Sequence, residues 1–163
     1  TTPAETPVAM ILVDTSAWIE LLRKGSQLRP GVAFDVGEAV TCLPVVQEVL
    51  QGIRDEGLFR HAREAMLALP IVESPMTLEV YQRAVELYRL ARRQGLTVRS
   101  PADCLIAACA LRHDLLVVHR DRDYPALARV SAVDVSFCRR LSSTRNLKTL
   151  DLSSSRHASA WPS

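Results

Sequence analysis

The stretch MILVDTSAWIE, residues 10–20, places three aliphatic residues before a carboxylate, two hydroxyls after it, and then a helix-like apolar pattern. The reading is a short buried strand that ends on Asp14 and turns into a helix, with Trp18, Ile19, Leu21 and Leu22 on the inner face of that helix. A carboxylate at the end of a buried strand costs several kcal/mol, in order of magnitude, unless something compensates its charge. A helix cap, supplied by Asp14 or Thr15, a salt bridge or a metal ion would each do so. The remainder of the chain decides which applies.

Working outward, Val8–Val13 reads as the first strand and residues 25–37, with three glycines and a proline, as a loop. Ala39–Leu43 is a second strand candidate. Pro44 suits the first turn of a helix reaching about Ile53. Helical periodicity covers 58–69 and 77–94, with a short strand candidate, Pro70–Glu73, between them. Pro101 opens another helix, LLVVH (115–119) is a strongly apolar strand, 120–130 bends into a short helix, and AVDVSF (132–137) is a last strand. Strand–helix alternation with an extra helical pair in the middle predicts an α/β fold with a mostly parallel central sheet. Residues 1–9 read as an N-terminal extension, 10–140 as one domain, and the serine-rich 141–163, with Trp161, as a flexible or non-native tail.

The 163 residues are 48% hydrophobic and 5% aromatic, so an aliphatic core is expected. A net charge of +2 is too small to establish a nucleic-acid partner. Cys42, Cys104, Cys109 and Cys138 form no C-x-x-C pair and sit among apolar neighbours, which fits core packing in a reducing compartment. No stretch approaches the length of a membrane span, and a cytoplasmic protein without membrane contact is expected.

In a parallel α/β sheet, ligands gather beyond the carboxyl ends of the strands. Asp14 and Asp121 lie at such ends, Asp123 follows closely, Glu48 is one turn into the helix after the second strand, and Asp103 is in the first turn of the helix opened by Pro101. Taken singly, Glu48 and Asp103 are acids favoured by the helix dipole. Taken together, four segments can bring acids to one edge of the sheet, and VVQEVLQG and SPADCLIAACA set theirs among residues that should be buried. Carboxylates without histidine or cysteine partners suit Mg²⁺ or Mn²⁺ rather than zinc.

The segments ILVDTSAWIE, LPVVQEVLQGI, SPADCLIAACAL and LLVVHRDRDYPAL resemble, in order and interval, the four acidic motifs of the PIN domain. More closely, they resemble the VapC-type toxins of bacterial toxin–antitoxin pairs. The resemblance covers about 10–137 and implies a PIN-like α/β/α sandwich. It implies an endoribonuclease dependent on Mg²⁺, with Mn²⁺ as a substitute, acting on tRNA or rRNA. It also implies a homodimer and neutralisation by a cognate antitoxin seated on exposed apolar residues near 45–69. It assigns the catalytic acids to Asp14, Glu48, Asp103 and Asp121. Asp14, Asp103 and Asp121 would be metal ligands, with Asp123 and Glu48 as further candidates and Ser16 as a supporting hydroxyl. Arg120 and Arg122, which flank the fourth acid, read as RNA phosphate contacts or as solvated loop charges. His119 stands where the family often has threonine. The alternative reading is a catalytically inactive PIN-like RNA-binding or scaffold domain. The absence of a G-x-G-x-x-G run argues against a dinucleotide-binding fold, and Ser16 stands where a haloacid-dehalogenase-like phosphatase needs its second aspartate.

Overall fold

The computed structural model describes residues 10–26 and 34–138, so the expectations for 1–9, for the middle of the 25–37 loop and for the tail lie outside the described residues. The five strands are β1 (Ile11–Val13), β2 (Ala39–Cys42), β3 (Ile71–Val72), β4 (Leu116–His119) and β5 (Val135–Phe137). The six helices are α1 (Thr15–Leu22), α2 (Leu43–Gln51), α3 (Glu56–Ala68), α4 (Leu78–Arg93), α5 (Pro101–His113) and α6 (Asp123–Val130), and a 3-10 turn at Val36–Glu38 precedes β2. The sheet order is β3-β2-β1-β4-β5 and every pairing is parallel, so the expected "mostly parallel" sheet is parallel throughout.

Burial explains the strand sequences. All of β1 and β2 is buried, which is why ILV and AVTC read as continuous runs rather than alternating ones. The edge strands β3 and β5 are short and partly exposed, a composition that limits unwanted edge pairing. β2 ends one residue earlier than the sequence suggests. Leu43 already belongs to α2, with Pro44 in its first turn, where a missing N–H costs nothing.

The chain leaves β1 toward β3 on one side, then crosses back to β4 and β5 on the other. Right-handed crossovers therefore set α1–α3 on one face and α4–α6 on the other. The contacts agree: α2 packs against α1 and α3, and α4 packs against α5 and α6. α5 is the central helix, with Cys104, Ile106, Ala107, Ala108, Cys109 and Ala110 buried; its alanines let neighbouring helices approach closely. On α4, Val80, Ala84, Leu87 and Ala91 form the core face at helical spacing, and Gly95 at φ 71° ends the helix in the left-handed conformation. All four cysteines are free and buried, as expected.

The reversal of direction lies between β1 and β4. That is the topological switch point, and the carboxyl ends of these two adjacent strands open onto the crevice where such folds bind ligands. The exposed apolar surface lies elsewhere than expected. Among the described residues of 45–69, Val45, Val46, Val49, Ala62 and Met66 are buried, because α2 and α3 turn their apolar faces inward. Leu58 is the large apolar residue left exposed in that span. The continuous exposed stripe is Leu78, Tyr81, Val85 and Tyr88 on the outer face of α4.

Candidate active site

Asp14 leaves β1 in an extended conformation and caps α1. Ser16 donates to its Oδ2 twice, from the backbone N–H at 2.8 Å and from the side-chain hydroxyl, and the hydroxyl of Tyr124 donates to Oδ1 at 2.6 Å. Asp14 is thus the cap of α1, 1% exposed with both oxygens engaged. Ser16 Oγ also accepts from the backbone N–H of Arg120 at 2.9 Å, tying the β1–α1 turn to the β4–α6 turn. Burial and the neighbouring Asp14 charge push the Tyr124 phenol well above its usual pKa, so it remains a donor.

Glu48 is half-buried on α2, one turn after β2, and its Oε2 accepts from the Thr15 hydroxyl at 2.8 Å. Asp103 lies in the first turn of α5, 6% exposed, and its Oδ2 has no hydrogen-bond partner among the described residues. Burial pushes its carboxyl up to about 8, with Asp14, Asp121, Asp123 and Glu48 adding to the shift in that order. The four predicted acids therefore share one electrostatic neighbourhood.

Asp121 follows β4, its side chain 38% exposed, and accepts from the backbone N–H of Asp123 at 2.8 Å. Asp123 is buried at the start of α6. One oxygen each of Asp103, Asp121 and Asp123 lie mutually within 4.8 Å, a spacing at which three carboxylates can share a cation. Asp123 is otherwise engaged. Its Oδ2 accepts from the backbone N–H groups of Arg99 at 2.6 Å and Ser100 at 3.3 Å, and its Oδ1 faces the Arg99 side chain.

His119 is the last residue of β4 and is 2% exposed. Its ring lies 4.8 Å from that of Tyr124 and 5.8 Å from that of Phe137. Its Nδ1 is 2.9 Å from the carbonyl oxygen of Asp121; since a carbonyl only accepts, the proton is on Nδ1. Burial lowers its pKa, which keeps the ring neutral. His119 therefore shapes the turn that carries Asp121. Arg120 and Arg122 are exposed, and the Arg120 guanidinium lies 5.7 Å from the centre of the Phe137 ring rather than on the acids.

Sequence reasoning passed over Tyr124 and Arg99, and it read Thr15 only as a cap candidate, whereas Asp14 is the cap and Thr15 holds Glu48. Tyr124 carries a faint signal, an aromatic hydroxyl directly after Asp123. The partners of Thr15 and Arg99 lie 33 and 24 residues away, and no local pattern reveals such pairs.

The PIN-domain family profile matches residues 11–130. Ribonuclease VapC11 of Mycobacterium tuberculosis is 38% identical over 127 residues, spanning 75% of this chain and 94% of that protein. Ribonuclease VapC17 of the same organism is 29% identical over 121 residues, spanning 73% and 87%. Among solved structures, DNA-bound VapBC from Salmonella typhimurium superposes with a TM-score of 0.64 at 15% identity, covering 80% of this chain and 99% of that one. VapBC2 from Rickettsia felis, bound to a promoter DNA fragment, gives 0.62 at 15% identity, covering 78% and 98%. At such identities these two speak for the fold, whereas the family match and the 38% identity along nearly all of a relative speak for descent: this chain belongs to the PIN-domain family, among the VapC ribonucleases.

Proposed function

We propose that this chain is a divalent-metal-dependent endoribonuclease toxin that hydrolyses RNA phosphodiester bonds and is silenced by a cognate antitoxin. The observation that carries the metal-dependent reading is Asp103: a buried carboxylate with an unpartnered oxygen, beside other acids, at the crevice of a parallel sheet. Such a group is relieved by a proton or by a cation, and an all-oxygen donor set fits Mg²⁺, with Mn²⁺ as a substitute. Asp14, Asp103 and Asp121 would hold it. When bound, the ion supplies Lewis acidity and lowers the pKa of coordinated water.

The chain's own residues do the rest. Thr15 fixes Glu48 through Oε2, leaving Oε1 to orient an attacking water and accept its proton. Tyr124 and Ser16 fix both oxygens of Asp14, and His119 fixes the backbone of the Asp121 turn. In hydrolysis the water oxygen bonds to phosphorus, the bridging phosphorus–oxygen bond breaks, and the leaving oxygen takes up a proton. Such pre-set geometry spares reorganisation at the moment of reaction.

The names of the VapC ribonucleases support an RNA substrate, and the motif resemblance implies tRNA or rRNA as its class. VapBC-5 from Mycobacterium tuberculosis, a solved structure similar to this chain, is described as a member of the VapBC family of toxin–antitoxin systems, and together with the VapC relatives this supports an antitoxin partner here. The apolar stripe on α4 is a surface of the kind that protein partners or a second copy in a homodimer cover. No described helix is long and apolar enough to cross a membrane.

The test is cleavage of total RNA by the purified chain with Mg²⁺, Mn²⁺ or EDTA, with the new ends mapped by sequencing. Defined ends that appear with either metal and vanish with EDTA are expected. Equal cleavage in EDTA overturns the metal-dependent reading. RNA binding that is indifferent to EDTA and produces no ends identifies the inactive scaffold instead.

A further inference from the structure

Arg99 belongs to none of the four acidic motifs, yet its side chain lies on the acids. It sits in the segment between α4 and α5, four residues before Asp103. Its Nε is 3.1 Å from Asp123 Oδ1, and its Nη2 lies 3.1 Å from the same oxygen and 3.5 Å from Asp121 Oδ1. Asp123 Oδ2 holds the backbone of the same residue and of Ser100. One buried carboxylate therefore clamps Arg99 from both backbone and side chain, which is more than an incidental surface ion pair provides.

The clamp leaves the guanidinium partly free. The Arg99 side chain is 59% exposed, and its Nη1 makes no hydrogen bond among the described residues. A cleft lined by carboxylates repels the polyanion that it must receive, so a fixed cation at its rim serves the approach of RNA. Arg120 and Arg122, the arginines singled out from the sequence, make no such contact with the acids.

We propose that Arg99 is the RNA-phosphate-binding residue of this site, and that Asp123 serves to hold Arg99 in place rather than to ligate the metal. The inference rests on the ribonuclease reading above. The fork keeps Nε and Nη2 on the acids and presents Nη1 to a phosphodiester oxygen beside the scissile bond. Asp123 also anchors the segment that leads into Asp103, so a single side chain sets the relative position of cation and metal ligand.

The experiment uses the full chain, wild type and as Arg99→Gln, Arg99→Lys and Asp123→Asn, each checked for folding by circular-dichroism melting. Binding of a short labelled single-stranded RNA is measured from 50 to 200 mM salt with Ca²⁺ replacing Mg²⁺, the RNA being verified intact; Mn²⁺ affinity is measured separately by calorimetry. Arg99→Gln should weaken RNA binding about tenfold and flatten the dependence of log K on log salt by about 0.7, the slope of one single-strand phosphate contact. Arg99→Lys should restore that slope, because its charge remains. Asp123→Asn should weaken RNA binding and keep Mn²⁺ affinity within about threefold, because the ligands proposed here are elsewhere. An unchanged slope in Arg99→Gln overturns the phosphate assignment, and collapse of Mn²⁺ affinity in Asp123→Asn overturns the clamp. Wild-type protein that binds no RNA overturns the ribonuclease reading as well, whereas wild-type binding with unchanged variant slopes overturns this inference alone.

Discussion

Asp14 and Asp103 are both buried acids at the carboxyl edge of the sheet, and they are held in opposite ways. Asp14 has donors on both oxygens, from Ser16 and from Tyr124. Asp103 keeps an oxygen with no partner among the described residues, and its carboxyl is pushed up to about 8. The difference separates two ways of tolerating a buried carboxylate. Asp14 is compensated by the protein itself, so its local structure does not need a cation. Asp103 is compensated by nothing in the described chain except protonation, so the proposed cation would change its state more than that of Asp14.

The largest expected effect breaks this contrast at Asp103. Asp103→Asn should lower RNA cleavage by at least about 100-fold, the scale on which loss of a preorganised electrostatic group acts, and should leave the metal-free protein at least as stable at pH 8. Cleavage assays paired with thermal melts in EDTA check both halves. Wild-type cleavage rates in Asp103→Asn would show that the bare oxygen has no catalytic meaning.

The second effect is the pH dependence of the metal-free fold. The folded carboxyl of Asp103 titrates near 8, against about 3.9 in an unfolded chain. The native state therefore binds the extra proton between these values. The stability contributed by this group is fully present below about pH 4 and is lost as pH rises through about 8. Melts in EDTA from pH 5 to 9 should fall in wild type and flatten in Asp103→Asn. Mn²⁺ at about 100 times its dissociation constant should add about 2.7 kcal/mol to wild type and distinctly less to the variant. A wild-type melt independent of pH in EDTA contradicts the contrast.

A smaller effect sharpens the Asp14 side. Tyr124→Phe removes the hydroxyl donor from a buried carboxylate oxygen, and about 1–3 kcal/mol of stability should go with it, with or without metal. Asp14→Asn should melt close to wild type, because asparagine caps nearly as well as aspartate, while losing cleavage. A large drop in melting temperature for Asp14→Asn would mean that its charge matters to the fold itself.

The smallest effect is Thr15→Val. The hydroxyl that holds Glu48 is lost, and because the pair is only part-buried the stability change should stay near about 1 kcal/mol. The turnover number should fall about tenfold with little change in KM, since a mispositioned Glu48 affects the reacting water more than RNA binding. An unchanged turnover number would remove Thr15 from the positioning role.

The fold was legible along the chain because its signals are local. ILV, AVTC and LLVVH are buried on both faces and so read as continuous apolar runs, and α4 shows its inward face as Val80, Ala84, Leu87 and Ala91 at helical spacing. Boundaries slipped by one to three residues where a turn could belong to either element, as at Leu43 and at the start of β5, which lies at Val135 rather than at residue 132. The patch expected on α2 and α3 moved to α4, because amphipathic periodicity shows that a helix has an apolar face but not which neighbour covers it.

Local sequence carries the strand–helix alternation and the family motifs, and it singles out Asp14, Glu48, Asp103 and Asp121 as candidate site residues, since strand ends and first helical turns are local features and a parallel sheet sends them to one edge. What each acid touches depends on the tertiary packing. It put Tyr124 on Asp14, Thr15 on Glu48 and Arg99 on Asp123, and it left Asp103 Oδ2 without a partner among the described residues. A hydrogen bond requires two atoms to arrive within about 3 Å, and residues 24 to 110 positions apart do so through packing that no short stretch of sequence encodes.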